Sequence, residues 1–109
     1  KMAIGHFFDG KATMVVGTHT HVPTSDYRIL ENGTAYQTDV GMCGDYNSVI
    51  GMNKNNSLKK FLKDPSATKH SPALGEATIS GLMVNADDNT GLAKKIDPII
   101  FGGVFKNRN

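Results

Sequence analysis

The chain has 109 residues, of which 39% are hydrophobic, and its formal net charge is +2 at pH 7. This length suffices for one domain with a modest core. The balanced charge and scattered lysines exclude the basic patch that stable binding of nucleic acid or an anionic membrane requires, and no apolar run approaches the roughly 20 residues that cross a bilayer. The single cysteine excludes an internal disulfide, which suits a reducing compartment and predicts a cytoplasmic protein.

The first residues predict a helix. Apolar side chains over residues 1–8 have helical spacing, and Gly10 is suited to the left-handed position that follows a helix. No capping residue precedes Met2, so we expect residues 1–109 to be the C-terminal part of a single domain whose N-terminal half is absent. His6 lies on this helix, where we interpret it as a buried or half-exposed packing side chain rather than a ligand.

A histidine-bearing loop follows the first predicted strand. The apolar run at residues 12–16 predicts a buried strand that Gly17 ends, and the helix before it favours a mixed α/β fold. His19 and His21 come next, at the carboxyl end of a strand, where the active sites of open sheets lie. Neutral imidazole is the commonest metal ligand. In an extended segment residues i and i+2 point to the same side, so we expect both histidines to converge on one metal ion or two adjacent ions.

A hairpin is predicted after this loop. Residues 26–30 and 34–38 flank Asn32 and Gly33, and Asn-Gly favours a type I′ turn. If the returning strand pairs with the first strand, its following loop lies near the histidines. In that second loop Asp39 could orient a ligand histidine, or it could cap the loop by accepting backbone hydrogen bonds.

The second loop also carries two glycines and the cysteine. Gly41 and Gly44 allow close approach of the backbone, either to a substrate or within an ordinary turn. We expect Cys43 to be a small buried apolar side chain, because the local sequence has no basic neighbour that would make it a nucleophile.

The remaining sequence predicts regular elements without further site residues. Residues 56–63 have the spacing of a helix with Asn55 or Asn56 as its N-cap. An irregular connection at residues 64–75 contains His70, which we expect to be exposed. Strands at residues 77–86 and 92–100 flank a turn whose acidic residues lack the ligand spacing of a calcium loop. We expect residues 101–109 to be a flexible tail.

Three segments, residues 15–22, 33–42 and 50–52, closely resemble the C-terminal part of the YmdB-like bacterial metallophosphoesterases of the calcineurin-like superfamily. The resemblance runs in register from about residue 1 to about residue 99. It implies the C-terminal portion of a four-layer α-β-β-α sandwich, with two mixed sheets flanked by helices. It also implies a dinuclear centre of Fe, Mn or Zn that hydrolyses phosphodiesters such as cyclic nucleotides.

The resemblance assigns His19 and His21 as the last two metal ligands, one on each metal, and leaves the earlier ligands without counterparts here. Candidates for residues behind the ligands or in a substrate loop are Thr18, Thr20, Asp39 and Gly41, and no catalytic residue is assigned within the chain. We therefore expect the isolated chain to bind metal weakly, with negligible activity, and the full-length protein to form homo-oligomers. The alternatives are a related metallophosphatase with another phosphoester substrate and an inactive structural or assembly role.

Overall fold

A computed structural model describes residues 1–106 and has the predicted mixed α/β fold. Its elements, in chain order, are helix α1 at Met2–Phe8, strands β1 at Met14–Val16, β2 at Arg28–Ile29 and β3 at Ala35–Gln37, helix α2 at Lys54–Phe61, strands β4 at Ile79–Ala86 and β5 at Ala93–Phe101, and a 3₁₀ helix at Gly103–Phe105. The prediction of a helix followed by a strand at the start of the chain is confirmed.

The first three strands form one sheet in the order β1-β3-β2. Strand β3 is parallel to β1 and antiparallel to β2, so the sheet is mixed. Because β1 and β3 are parallel, their carboxyl ends meet at the same edge of the sheet. Beyond that edge the Gly17 amide donates to the Gln37 carbonyl at 3.0 Å, and the Val40 amide donates to the Gly17 carbonyl at 2.9 Å. The loops after the two strands are therefore neighbours, as predicted.

The hairpin between β2 and β3 is present, but the predicted type I′ turn is wrong. Gly33 has a φ of +103°, whereas Asn32 is not among the residues with positive φ. The Gly33 amide donates to the Leu30 carbonyl at 3.0 Å, and the Leu30 amide donates to the Thr34 carbonyl at 2.8 Å. These bonds match a three-residue loop, in which a single left-handed glycine re-aligns the strands.

The outer elements differ from prediction mainly at their ends. Helix α2 begins earlier than predicted, because the Asn53 side chain caps it by accepting from the Asn56 amide at 3.2 Å.

Strands β4 and β5 form an antiparallel two-stranded ribbon, so within residues 1–106 one mixed sheet is seen, and the four-layer sandwich stays a prediction. In the segment predicted to be a flexible tail, Phe101 ends β5 and a 3₁₀ helix follows at Gly103–Phe105, and its flexibility stays a prediction. The rest of that tail, residues 107–109, lies outside the described residues.

The core centres on β3 and is more polar than apolar. Its buried hydrophobic side chains are Leu30, Ala35 and Tyr36, and its buried polar residues include Thr34, Gln37, Asp39 and Thr78. Helix α1 approaches this core through Gly5, where an added Cβ would lie 2.6 Å from the Tyr36 ring. Neither helix within residues 1–106 has the length and apolar composition needed to cross a membrane.

Candidate functional site

The two candidate ligands lie in a loop of left-handed backbone, so the predicted extended geometry is wrong. His19 has a φ of +115° and His21 a φ of +69°. Histidine occupies positive φ several times more often than most residues, but such positions are still uncommon. Positive φ at both histidines bends the loop, so the predicted same-side alternation of their side chains does not apply. His19 is exposed, whereas His21 is half-buried.

The His21 imidazole is anchored by one of its two nitrogens. Its Nδ1 lies 2.8 Å from the Ile50 carbonyl oxygen. A carbonyl oxygen only accepts hydrogen bonds, so Nδ1 carries a proton in this contact. In the neutral tautomer with this proton, the other nitrogen, Nε2, keeps its lone pair for a ligand. Metal-binding histidines are held in this way, with the second nitrogen donating to a carboxylate or a backbone carbonyl.

The Asp39 side chain caps the histidine loop by accepting hydrogen bonds from Thr20. The Asp39 side chain is fully buried. One carboxylate oxygen accepts hydrogen bonds from the Thr20 amide at 2.7 Å and the Thr20 hydroxyl at 2.8 Å, and the other accepts from the Gly41 amide at 2.8 Å. Of the two roles left open for Asp39, these bonds match capping. The amide and hydroxyl of Thr20, between the two histidines, are therefore directed at Asp39.

Lys1 completes the charge balance at Asp39, and the sequence analysis did not assign it. Its Nζ lies 3.5 Å from the Asp39 carboxylate and also donates to the Thr18 carbonyl. Burial by itself raises the pKa of Asp39, but the bonds from Thr20 and Gly41, together with the Lys1 charge, outweigh it and hold that pKa below its ordinary value. No local sequence signal marks this pair, because it forms only when α1 packs beside β1.

The two glycines of the second loop, Gly41 and Gly44, make close contacts within the protein. Gly41 has a φ of +83°, and an added Cβ would lie 2.6 Å from the Ser80 hydroxyl. The backbone of Gly44 instead pairs with Thr78, with the Gly44 amide donating to the Thr78 carbonyl at 3.0 Å. The neighbouring Cys43 Sγ donates to the Ser80 carbonyl of β4 at 3.5 Å. Cys43 is exposed, so its predicted burial is wrong.

The remaining histidines lie away from this loop in the sequence and are exposed. His70 was predicted to be exposed, and this prediction is confirmed. His6 was predicted to pack, and this prediction is wrong, because α1 contacts the sheet through Gly5 and leaves its large side chains outside.

The loop carries two imidazoles, which are chemically suited to act as metal donors. Among residues 1–106, no three histidine, cysteine, aspartate or glutamate side chains come together as a metal site. Asp39 is occupied by its three hydrogen bonds. The donor set of His19 and His21 suits Zn, Fe or Mn, but a catalytic zinc site usually has about three protein ligands. Within residues 1–106 no third histidine, cysteine, aspartate or glutamate is grouped with these two imidazoles.

Residues 1–99 match the family model described as YmdB-like protein. The chain belongs to this family. It is 47% identical over 100 residues to a protein of Bacillus subtilis (strain 168) named 2',3'-cyclic-nucleotide 2'-phosphodiesterase, and the match covers 92% of this chain and 38% of that relative. The predicted family resemblance is thus confirmed.

Two solved structures have the same fold over this length. A hypothetical protein from Thermus thermophilus matches with a TM-score of 0.82 at 40% identity, over 93% of this chain and 39% of that one. A structure from Mycoplasma pneumoniae, described as a novel phosphatase, matches with a TM-score of 0.83 at 40% identity, over 92% of this chain and 36% of its own. The chain thus spans less than two fifths of the length of each of these three proteins.

Proposed function

We propose that this chain supplies the last two metal ligands, His19 and His21, of a phosphodiesterase that uses two divalent metal ions. Its substrates are phosphodiesters such as cyclic nucleotides. The observation that carries the proposal is the hydrogen bond from His21 Nδ1 to the Ile50 carbonyl, which leaves Nε2 free at the carboxyl end of β1. The name of the Bacillus subtilis relative supports the choice of substrate.

The chain's own residues hold the two imidazoles in place. Asp39 fixes the backbone and hydroxyl of Thr20, which lies between the two histidines. Lys1 lies close enough to offset the Asp39 charge, so this buried carboxylate does not depend on a metal for compensation. Two bound cations would supply the positive charge that stabilises phosphoryl oxygens and activates water. Fe, Mn and Zn ions all bind imidazole ligands.

The test is to replace each ligand separately in the full-length protein. His19→Ala and His21→Ala should each lower metal content, and each should lower turnover of a 2',3'-cyclic nucleotide by at least about 100-fold, because loss of even an outer partner of a ligand costs about 10–100-fold. His70→Ala is the matched control, since it removes an exposed histidine from the irregular connection after α2. Turnover near that of the control in either loop variant would refute the ligand assignment.

A related metallophosphatase is the second candidate, and it is favoured by the Mycoplasma pneumoniae neighbour described as a phosphatase. The same protein preparation should be assayed on a phosphate monoester and on a phosphodiester under identical conditions. We expect higher kcat/KM for the diester. A preference for the monoester would select the phosphatase. Turnover of neither would favour the non-catalytic role.

A further inference from the structure

The turn that contacts His21 has an unusual sequence for its geometry. Val49 and Met52 exchange two backbone hydrogen bonds, of 3.0 and 2.9 Å, and so close a two-residue loop. Both central residues have positive φ, with +49° at Ile50 and +91° at Gly51. This is the pattern of a type I′ turn, in which the first central position favours Asn, Asp or Gly. A β-branched residue at positive φ is a genuine outlier.

The Ile50 side chain does not account for this strained backbone. It is 51% exposed, so burial gives little reason to keep isoleucine at a left-handed position. What the turn does provide is the Ile50 carbonyl, 2.8 Å from His21 Nδ1. Backbone strain of this kind persists only where surrounding contacts hold it, and it is concentrated at functional sites.

Contacts on both sides of the turn hold that carbonyl in place. The Gly51 amide donates to the Ser48 hydroxyl at 2.9 Å, and this hydroxyl in turn donates to the Asp45 carbonyl. On the other side the Ala73 amide donates to the Gly51 carbonyl at 2.8 Å. The turn is therefore fixed to the loop before it and to the connection after α2.

We propose that the Ile50–Gly51 turn is a positioning device for His21. Its carbonyl selects the tautomer that is protonated on Nδ1 and sets the direction of the ring, so that Nε2 faces outward with its lone pair. The value of this arrangement to catalysis rests on the proposed function. The tautomer itself is a property of these residues, and it is measurable without any metal.

The experiment compares variants that keep the turn with variants that disturb it. Ile50→Asn retains the carbonyl and suits the left-handed position, whereas Gly51→Val places a branched side chain at a φ of +91°. Ser48→Ala is the milder second disturbance, because it removes only the hydroxyl that the Gly51 amide contacts. Each variant is made in the full-length protein, freed of metal and labelled with ¹⁵N-histidine.

The first measurement is the pair of His21 ring ¹⁵N shifts, about two pH units above the ordinary histidine pKa of about 6.5. The unaltered protein and Ile50→Asn should show the single tautomer protonated on Nδ1. Gly51→Val and Ser48→Ala should show a mixture, larger for Gly51→Val. If Gly51→Val does not fold, Ser48→Ala alone decides the outcome. A mixture in the unaltered protein, or an unchanged single tautomer in every folded disturbed variant, would overturn the proposal.

The second measurement is Mn²⁺ affinity by calorimetric titration of the same samples. The disturbed variants should bind about 10-fold to 100-fold more weakly, and Ile50→Asn should bind like the unaltered protein. Equal affinity in all variants despite a changed tautomer would overturn the claim that the turn serves the metal site. If the tautomers change as expected but no sample binds Mn²⁺, the positioning of His21 stands, and it is the proposed function that fails.

Discussion

Replacing Asp39 with asparagine tests whether the capped loop is a structural requirement of the site. The change keeps the shape of the side chain but removes its charge and one of its acceptor oxygens. Asp39 is fully buried and accepts three hydrogen bonds, two of them from backbone amides. An asparagine oxygen can retain one amide partner, and the Thr20 hydroxyl can rotate to accept from the new amide group. The other backbone N–H, that of Thr20 or of Gly41, is then left facing the NH₂ group of the asparagine.

The expected cost follows from that single mismatch. A buried donor left without a partner costs about 1–3 kcal/mol, and a hydrogen bond to a charged group contributes about 1.5–3 kcal/mol. Since these terms overlap, we expect Asp39→Asn to lower the free energy of unfolding by about 2–3 kcal/mol. The Lys1 ion pair adds little, because Lys1 is 37% exposed and its charge is screened by water.

Urea denaturation of the full-length protein measures this loss. Asp97→Asn is the matched control: it makes the same chemical change at a carboxylate that is 42% exposed and 3.6 Å from Lys95. Such exposed pairs contribute about 0–1 kcal/mol. If the free energies of unfolding of the two variants differ by less than about 0.5 kcal/mol, the cap does not hold the loop and the reasoning is refuted.

Two further predictions test other contacts of the same sheet. Gly5→Ala should lower the free energy of unfolding, measured by urea denaturation, by about 1–3 kcal/mol. The new Cβ would lie 2.6 Å from the Tyr36 ring, and this clash outweighs the gain in helix propensity. Gly81→Ala is the control and should not destabilise the protein in this way, because no atom lies within 4 Å of its added Cβ. Burial raises the pKa of Asp26, but hydrogen bonds from two threonine hydroxyls and the Thr38 amide outweigh it and hold that pKa below its ordinary value. The ionised Asp26 side chain therefore stabilises the fold fully above the unfolded pKa of about 3.9, and this stabilisation is lost as pH falls through the folded pKa. The urea midpoint of Asp26→Asn should therefore fall less than that of the unaltered protein below about pH 4, and parallel pH profiles would contradict the assignment.

Local patterns in the sequence sufficed to predict most elements and the adjacency of the loops that follow β1 and β3. The apolar run before Gly17 predicted β1, and the hairpin signal at Asn32 and Gly33 placed β3 where it could return beside it. Together these signals brought the loop of Asp39 next to the loop of His19 and His21. The structure has this arrangement, because parallel pairing of β1 with β3 aligns their carboxyl ends.

The sequence could not show how the loops are bent. Alternation along an extended segment assumes negative φ, but His19, His21 and Ile50 all have positive φ. Their conformations depend on hydrogen bonds to residues distant in sequence, such as the one between Asp39 and the Thr20 amide. The same limit applies to Lys1 and Ile50, whose contacts with the loop span 17 or more positions in the chain.

The exposed surface supports the idea that this loop belongs to a larger folded unit. The accessible surface is 7181 Å², whereas a compact protein of 11.7 kDa exposes about 5,900 Å². The radius of gyration is 17.2 Å, against about 13 Å for a compact domain of this length. Phe61, the last residue of α2, is 81% exposed, the Leu62 that follows it is 72% exposed, and Leu74 is 92% exposed. Exposed apolar side chains of this kind favour burial against further polypeptide.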